Sequence, residues 1–203
     1  MKVGVLGVGN IGGTLGKKWV EAGHTVQFGL RNVNNPEALA LVSALGPQAS
    51  VGTLAAAIAF GDVVVFAVPG GAMEETIRTH AAALAGKVVI DAANRMGAPT
   101  MNSASLFAAH APTVKLFRAF NSMGWENFAN PHFGDQQADL FYCGAGGDAQ
   151  AAVERLIADA GLRPMRVGEI TQASLVDMVT SLWFALANGQ RRGRHLAFKV
   201  LTD

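Results

Sequence analysis

The chain has one cysteine, Cys143, and one tyrosine, Tyr142, among 203 residues. A single cysteine excludes an intramolecular disulfide, and with it the small secreted scaffolds that depend on such bridges. Charged residues make up 15% of the chain and the formal net charge is +1, so no bulk attraction draws it to nucleic acid or to an anionic membrane. Any anion site has to be local. Uninterrupted apolar runs are short, Val63 to Val68 being typical, well below the ~20 residues that span a bilayer. The chain opens into a strand-like run, Lys2 to Leu6, with no signal-peptide layout. The expectation is a cytoplasmic protein with neither a membrane nor a nucleic-acid partner. No pair of its five histidines has metal-ligand spacing and Cys143 sits mid-strand, so no metal site is expected.

What is present points to one α/β unit. Half the residues are apolar, enough for a buried core. Short β-branched runs near 2–7, 25–29, 49–51, 62–67, 87–91, 113–118, 138–143 and 163–167 read as strands. Between them, helical stretches fall near 11–22, 36–45, 53–59, 71–84 and 149–160, with Thr53 and Asp148 as candidate caps and Gly23 and Gly161 as stops. Two more helices are expected after Thr171, one to about Asn188 and one across the end of the chain. The stretches 92–111 and 124–137 read as loops. Alternation of this kind predicts a parallel sheet with helices on both faces, ligands lying beyond the strand ends.

Gly7, Gly9 and Gly12, with Asn10 and Ile11 between them, form a Gly-x-Gly-x-x-Gly turn after a strand and at the start of a helix. This is the dinucleotide fingerprint, in which backbone N–H groups at the helix start face a pyrophosphate. The end of the second strand, where an NAD-binding protein carries an acid for the ribose 2′-hydroxyl, reads Gln27 to Asn32 with no acid. Arg31 stands there instead, suited to charge-assisted bonds with a 2′-phosphate, and Asn32 adds a neutral donor. The expected cofactor is NADP(H).

With those residues in place, the chain resembles the NADPH-dependent F420 reductases, Rossmann-fold enzymes that pass hydride between NADP(H) and a deazaflavin. The resemblance runs nearly end to end, through GVGNIGGTLG, FGLRN, DVVVFAVPGGAMEE, GKVVIDAAN, FRAFNSMGWEN, GDAQAAVERLIADAGLRPMRVG and SLWFALANGQRRGRHLAFKVL. It implies a Rossmann-like, doubly wound, mainly parallel sheet over residues 1–168 and a small helical C-terminal cap over 169–203. Gly7, Gly9, Asn10, Ile11 and Gly12 would hold the pyrophosphate, and Arg31 with Asn32 the 2′-phosphate. Ala67, Val68 and Pro69 would flank the nicotinamide ribose, and Asn94, Ala119, Phe120 and Asn121 would line the nicotinamide pocket. Two departures stand out: Leu30 where the family often has Ser or Thr, and Arg95 where it has proline. The same superfamily includes bacterial proteins whose acceptor is not F420 and the reductase domain of membrane ferric reductases.

The acceptor is a small redox molecule, with F420 favoured by resemblance, and FMN, FAD or a quinone as alternatives. A non-catalytic NADP(H) sensor and a small-carbonyl or imine reductase also stand. The last needs a proton donor, for which His132 and Tyr142 are the candidates; no Tyr-x-x-x-Lys pair is present. Asn121 and His132 are the candidate catalytic residues. Leu175, Met178, Val179, Leu182, Trp183 and Leu186 recur at helical spacing, read either as a core-facing stripe or, through Trp183 and Leu182, as a cover on the acceptor pocket. Arg191, Arg192 and Arg194 are either solvated or the seat of an anionic acceptor tail. A homodimer through these C-terminal helices is a further expectation.

Overall fold

Every side chain of the run Val63–Phe66 is buried, because this strand lies mid-sheet with a helical layer on each face. The computed structural model describes residues 1–202. Along the chain come β1 (Lys2–Leu6), α1 (Asn10–Glu21), β2 (Thr25–Leu30), α2 (Pro36–Leu45), β3 (Ala49–Thr53), α3 (Leu54–Phe60), β4 (Val63–Phe66), α4 (Met73–Leu84) and β5 (Val88–Asp91). They continue with α5 (Ala104–His110), β6 (Lys115–Arg118), α6 (Trp125–Ala129), β7 (His132–Phe133), β8 (Gln136–Gln137), β9 (Asp139–Gly144), α7 (Asp148–Asp159), β10 (Arg163–Arg166) and α8 (Ala173–Phe184). Eight strands form one sheet in the order β10-β9-β6-β5-β4-β1-β2-β3, and β7 pairs with β8 in a separate hairpin. All sheet neighbours are parallel except β6 and β9, which meet antiparallel at Phe117–Gly144 and Arg118–Cys143. The chain order reverses at β1, which lies between β2 and β4, and that crevice is where such sheets bind nucleotides.

Two apolar layers hold the sheet. On one face Leu15, Trp19, Phe28, Phe120, Phe128 and Leu156 pack together, with the Trp19 indole N–H donating to the Leu156 carbonyl at 2.9 Å. On the other, Ile58, Phe66, Met73, Ile77, Leu84 and Phe107 form the second layer. All eight expected sheet strands form, and so do the five helices expected before Thr171. Thr53 caps α3 by accepting from the Ala56 N–H at 3.1 Å, whereas Asp148 is inside α7 and Gly147 takes the cap position.

The structure corrects four expectations. The stretches read as loops contain α5, α6 and the β7–β8 hairpin, all too short for a hydrophobic period to show. No helix crosses the end of the chain: residues 190–202 form an irregular strap whose backbone groups bond to the body of the fold instead. The Phe198 carbonyl accepts from the Asp139 N–H at 3.0 Å, and the Val200 N–H donates to the Asp139 carboxylate at 2.7 Å. Helix α8 turns Ala173, Val176, Asp177, Thr180 and Trp183 inward and leaves Leu175, Met178 and Leu182 exposed. Its inner stripe is partly polar because it has to meet Arg118 and Asn121. Finally, the helical stretch Ile170–Gly189, with 20 residues and a mean hydropathy of 1.3, is long and apolar enough by composition to cross a membrane, which counting uninterrupted runs missed. A third of its most apolar window (33%) is buried in this fold.

Asp139 ties the strap to the sheet edge. Arg163 donates to both of its oxygens, at 2.6 and 2.7 Å, and also to the Val200 carbonyl at 2.7 Å. Burial alone would raise the Asp139 carboxyl, but the Arg163 guanidinium and the Val200 N–H hold it below the usual carboxylate range. A depressed folded value means stability that is present above the unfolded pKa, ~3.9, and is lost as pH falls through the lower folded value. Asp139→Asn is expected to melt a few degrees lower at pH 7, and thermal melts across pH should show the gap closing below about pH 4.

Candidate active site

The turn from β1 to α1 is built for a ligand to approach. Gly7 sits at φ +104°, where a side chain is strained, and a Cβ on it would lie 2.6 Å from the Ala67 carbonyl oxygen. A Cβ on Gly12 would lie 2.3 Å from the Gly7 carbonyl oxygen, so this glycine is what allows α1 to pack against the turn. Gly9 differs: a Cβ there would meet no protein atom within 4 Å. No internal contact requires glycine at that position. Its missing side chain keeps open the space outside, at the exposed start of α1 where the first N–H groups have no helical partner. That cradle suits a pyrophosphate. Gly9→Ala is therefore expected to melt within about a degree of the parent while losing at least tenfold in NADPH affinity, and Gly12→Ala to lose stability outright; parallel melts and titrations check both.

The turn lies between two cavities. One, of about 380 Å³, is lined by Gly7, Arg31 and Leu54 and by Glu75, Thr79 and His80 of α4. Arg31 is exposed at its rim, and the Asn32 carboxamide oxygen accepts from the Asn34 N–H at 3.0 Å. That bond engages the oxygen of Asn32 and leaves its NH₂ to donate. His80 lines the same cavity as Arg31. The other cavity, of about 270 Å³, lies beyond β4, β5 and β6 and is lined by Ile11, Ala67, Val68, Pro69, Asn94, Phe120 and Asn121, with Gly70 and Met123. Val68 and Pro69 line both. Ala119 is fully buried and does not line it.

Phe120 holds a left-handed backbone, φ +62°, uncommon for a bulky side chain and strained by roughly 1–3 kcal/mol. Edge-on contacts with Trp19 and Phe128, at 5.7 and 5.8 Å, hold it in place. The kink turns the chain so that Phe120, Asn121 and Met123 all reach the cavity.

A buried polar network, which the sequence analysis missed, fixes the floor. Arg118 is completely buried at the end of β6. Its guanidinium meets Asp177 of α8 at 2.8 and 3.0 Å and Asp91 of β5 at 3.2 Å, and donates to the Asn94 carboxamide oxygen at 2.6 Å. Asp177 also accepts from the Asn102 backbone and side chain at 3.1 and 2.7 Å. Burial raises the Asp91 carboxyl above its ordinary value, against the pull of Arg118 and of the Ser103 and Ala93 N–H groups. Asn94 donates to the Asn121 carbonyl at 2.9 Å, and Asn121 spends its NH₂ on Thr180 at 2.9 Å. The Asn121 side-chain oxygen stays buried with no protein partner among the described residues. The available signal was an Asp and an Arg each ending a strand directly after buried apolar residues, Val89–Ile90 and Leu116–Phe117.

The expected acceptor-side residues are not brought together here. His132 is exposed on the β7–β8 hairpin, Leu182 is exposed, and Trp183 is buried with its N–H on the Leu196 carbonyl at 2.7 Å; none lines the Asn94–Asn121 cavity. Short hairpins and helix rotation are set by packing that spacing does not reveal. Arg194 stacks over Trp183 and pairs with Glu126 at 2.5 Å, so its charge is spent within the fold. Tyr142 is buried in β9 with its hydroxyl on Glu154, and burial and that carboxylate push its pKa well above the usual value. Burial pushes the Cys143 thiol up to about 11, leaving it protonated and inert at neutral pH.

The fold and the glycine cradle define a dinucleotide-binding unit of the doubly wound α/β class. Residues 2–95 match the family model described as NADP oxidoreductase, coenzyme F420-dependent. The match covers less than half of the chain, from β1 to the loop after β5. Rat metalloreductase STEAP3 is 26% identical over 183 residues, spanning 88% of this chain and 36% of that protein, so the chain covers about a third of this relative. Among solved structures, a candidate F420-dependent NADP-reductase from Arthrobacter sp. FB24 superposes with a TM-score of 0.83 at 24% identity, over 100% of both chains. A reductive aminase from Aspergillus terreus in complex with NADPH and ethyl levulinate gives 0.65 at 24% identity, over 94% of this chain and 61% of that one.

Proposed function

We propose that the protein transfers hydride between NADP(H) and a planar redox acceptor, a deazaflavin of the F420 type first, with a flavin or quinone next. The observation that carries this is the lining of the Asn94–Asn121 cavity: none of its residues is titratable. A ketone acceptor needs a proton at the oxygen as hydride arrives, whereas a conjugated ring spreads the incoming charge and takes its proton from solvent. Tyr142 and His132, the donors a carbonyl or imine reductase would use, both lie outside the cavity. The NADPH-bound reductive aminase shares the fold, but that likeness does not supply the missing donor.

NADPH, when bound, supplies the hydride; the protein positions and excludes water. The N–H groups after Gly9 hold the pyrophosphate, and Arg31 and Asn32 hold the 2′-phosphate. Pro69 and Phe120 wall the nicotinamide pocket. The Asn121 side-chain oxygen, unused by protein, accepts from the nicotinamide carboxamide, and Arg118 fixes Asn94 beside it. A cytoplasmic location and a division into a dinucleotide-binding unit, 1–168, and a C-terminal segment, 169–203, belong to the same proposal. So does a homodimer through exposed Leu175, Met178 and Leu182, which sedimentation tests.

The test is anaerobic oxidation of NADPH, followed at the nicotinamide absorbance band, with F420, FMN and a quinone offered separately. Rapid oxidation with F420 alone supports the deazaflavin reading. Reaction with only FMN or the quinone retains the NADPH half and replaces the acceptor. NADPH binding without turnover across the panel overturns the enzyme in favour of an NADP(H) sensor.

A further inference from the structure

The nicotinamide-side cavity is not closed on itself. Gly70 lines both that cavity and a neighbouring depression of about 140 Å³, and Arg95, Met96 and Ala98 line both this depression and a third, of about 310 Å³, against α8. The three share walls in sequence, and Arg95 stands at the junction of the outer two.

Arg95 is unlike the other arginines. Arg118, Arg155, Arg163, Arg166 and Arg194 are all in ion pairs. Of those outside ion pairs among the described residues, Arg31, Arg78, Arg191 and Arg192 are exposed, and only Arg95 is half-buried. Its one side-chain hydrogen bond among those residues is a long one, 3.4 Å, to the Asn102 carbonyl. A guanidinium that has lost part of its water without gaining a counter-ion favours an incoming anion, which its planar fork binds through two bonds. Of the carboxylates sharing these walls, Asp177 is engaged by Arg118 and Asn102, and Glu74 is exposed in the first turn of α4, where the helix dipole favours it and solvent screens it. The loop is also fixed in place, its Arg95 N–H donating to Met101 at 2.9 Å and the Ala98 N–H to Arg95 at 3.1 Å. The backbone that carries the guanidinium is therefore held, and the fork itself is left to a ligand.

We propose that Arg95 anchors an anionic side chain, phosphate or carboxylate, on a hydride acceptor whose ring stacks on the nicotinamide at the mouth of the Asn94–Asn121 cavity. This rests on the oxidoreductase reading and adds to it a selection for charged acceptors over neutral ones of the same ring.

FMN and riboflavin share one ring and differ by the phosphate, so they are the probes. With NADP⁺ saturating the protein, flavin fluorescence quenching should show FMN binding at least about tenfold tighter than riboflavin, with the ratio shrinking as salt rises. Arg95→Ala should bring the two together by weakening FMN alone, with NADP⁺ affinity unchanged. Arg95→Lys, which keeps the charge without the fork, should fall between. If Arg95→Ala fails to fold, the lysine variant and the salt dependence of the parent carry the test. Equal binding of the two flavins by the parent, no binding of FMN, or a preference that survives Arg95→Ala overturns the proposal. NADPH oxidation, measured separately, keeps the two readings apart. A charge preference in binding without hydride transfer overturns the enzyme but leaves the anchor; equal transfer to both flavins keeps the enzyme and overturns the anchor.

Discussion

Replacing Arg31 with glutamate is expected to raise the Kd for NADPH by roughly 10- to 100-fold while changing that for NADH less than about threefold. Arg31 is exposed at the rim of the cavity that begins at Gly7, at the end of the strand where an NAD-binding chain places an acid. The cofactors differ only in the 2′-phosphate, and a charge-assisted hydrogen bond to it contributes about 1.5–3 kcal/mol. Because the arginine is exposed, salt screens part of this, and the titrations belong at low ionic strength. Leu30 supplies no hydroxyl of its own, which concentrates the selectivity in Arg31 and Asn32. Equal losses for both cofactors would mean that the phosphate is held elsewhere, with His80 the next residue to change.

The second large effect is on the fold. Arg118→Met is expected to lose about 3–5 kcal/mol of stability, the range for removing one partner of a buried ion pair, because Asp91 and Asp177 both stay buried without it. The loss depends on pH with a definite sign. Asp91 already has its carboxyl raised by burial, and without Arg118 it rises further. For a carboxyl raised in the folded state, the unfolded chain loses its proton first, so rising pH favours unfolding from ~3.9 up to the folded value. The variant should recover part of the deficit on acidification from pH 8 to 5, and adding Asp177→Asn should recover more. Chemical denaturation at the two pH values reads this directly. A deficit independent of pH would mean that Arg118 acts through packing alone. Even the folded fraction of Arg118→Met should bind NADPH more weakly, since the Asn94 carboxamide has lost the group that fixes it.

The cofactor half was legible in the sequence because its signals are local. A turn that needs φ above zero at Gly7 and close contact at Gly12 has few solutions besides glycine. Strands buried on both faces write themselves as apolar runs, as β4 does, and all eight strands appeared near their expected positions, the half-buried edge strands β3 and β10 included. Arg31 was visible as the absence of an acid at a fixed distance from the glycines. The acceptor half was not legible in the same way. Helical spacing marked Leu182 and Trp183 as one stripe, but spacing has no phase: it does not say that Asp177, needed by Arg118, turns the helix so that Leu182 faces solvent. His132 looked suitable because it follows the nicotinamide strand in sequence, yet the two-residue strands of its hairpin carry it out of the cavity.

Sequence by itself determined the strand and helix alternation and the glycine cradle, and it carries the expectation of a phosphate-bearing dinucleotide, since each depends on residues a few positions apart. Tertiary structure alone decided that Asp91, Arg118 and Asp177, from two strands and a distant helix, close into one buried network, and that Arg95 is left half-buried without a counter-ion. Charges find or miss their partners only when separate elements pack, because that packing sets both their distance and the water left between them.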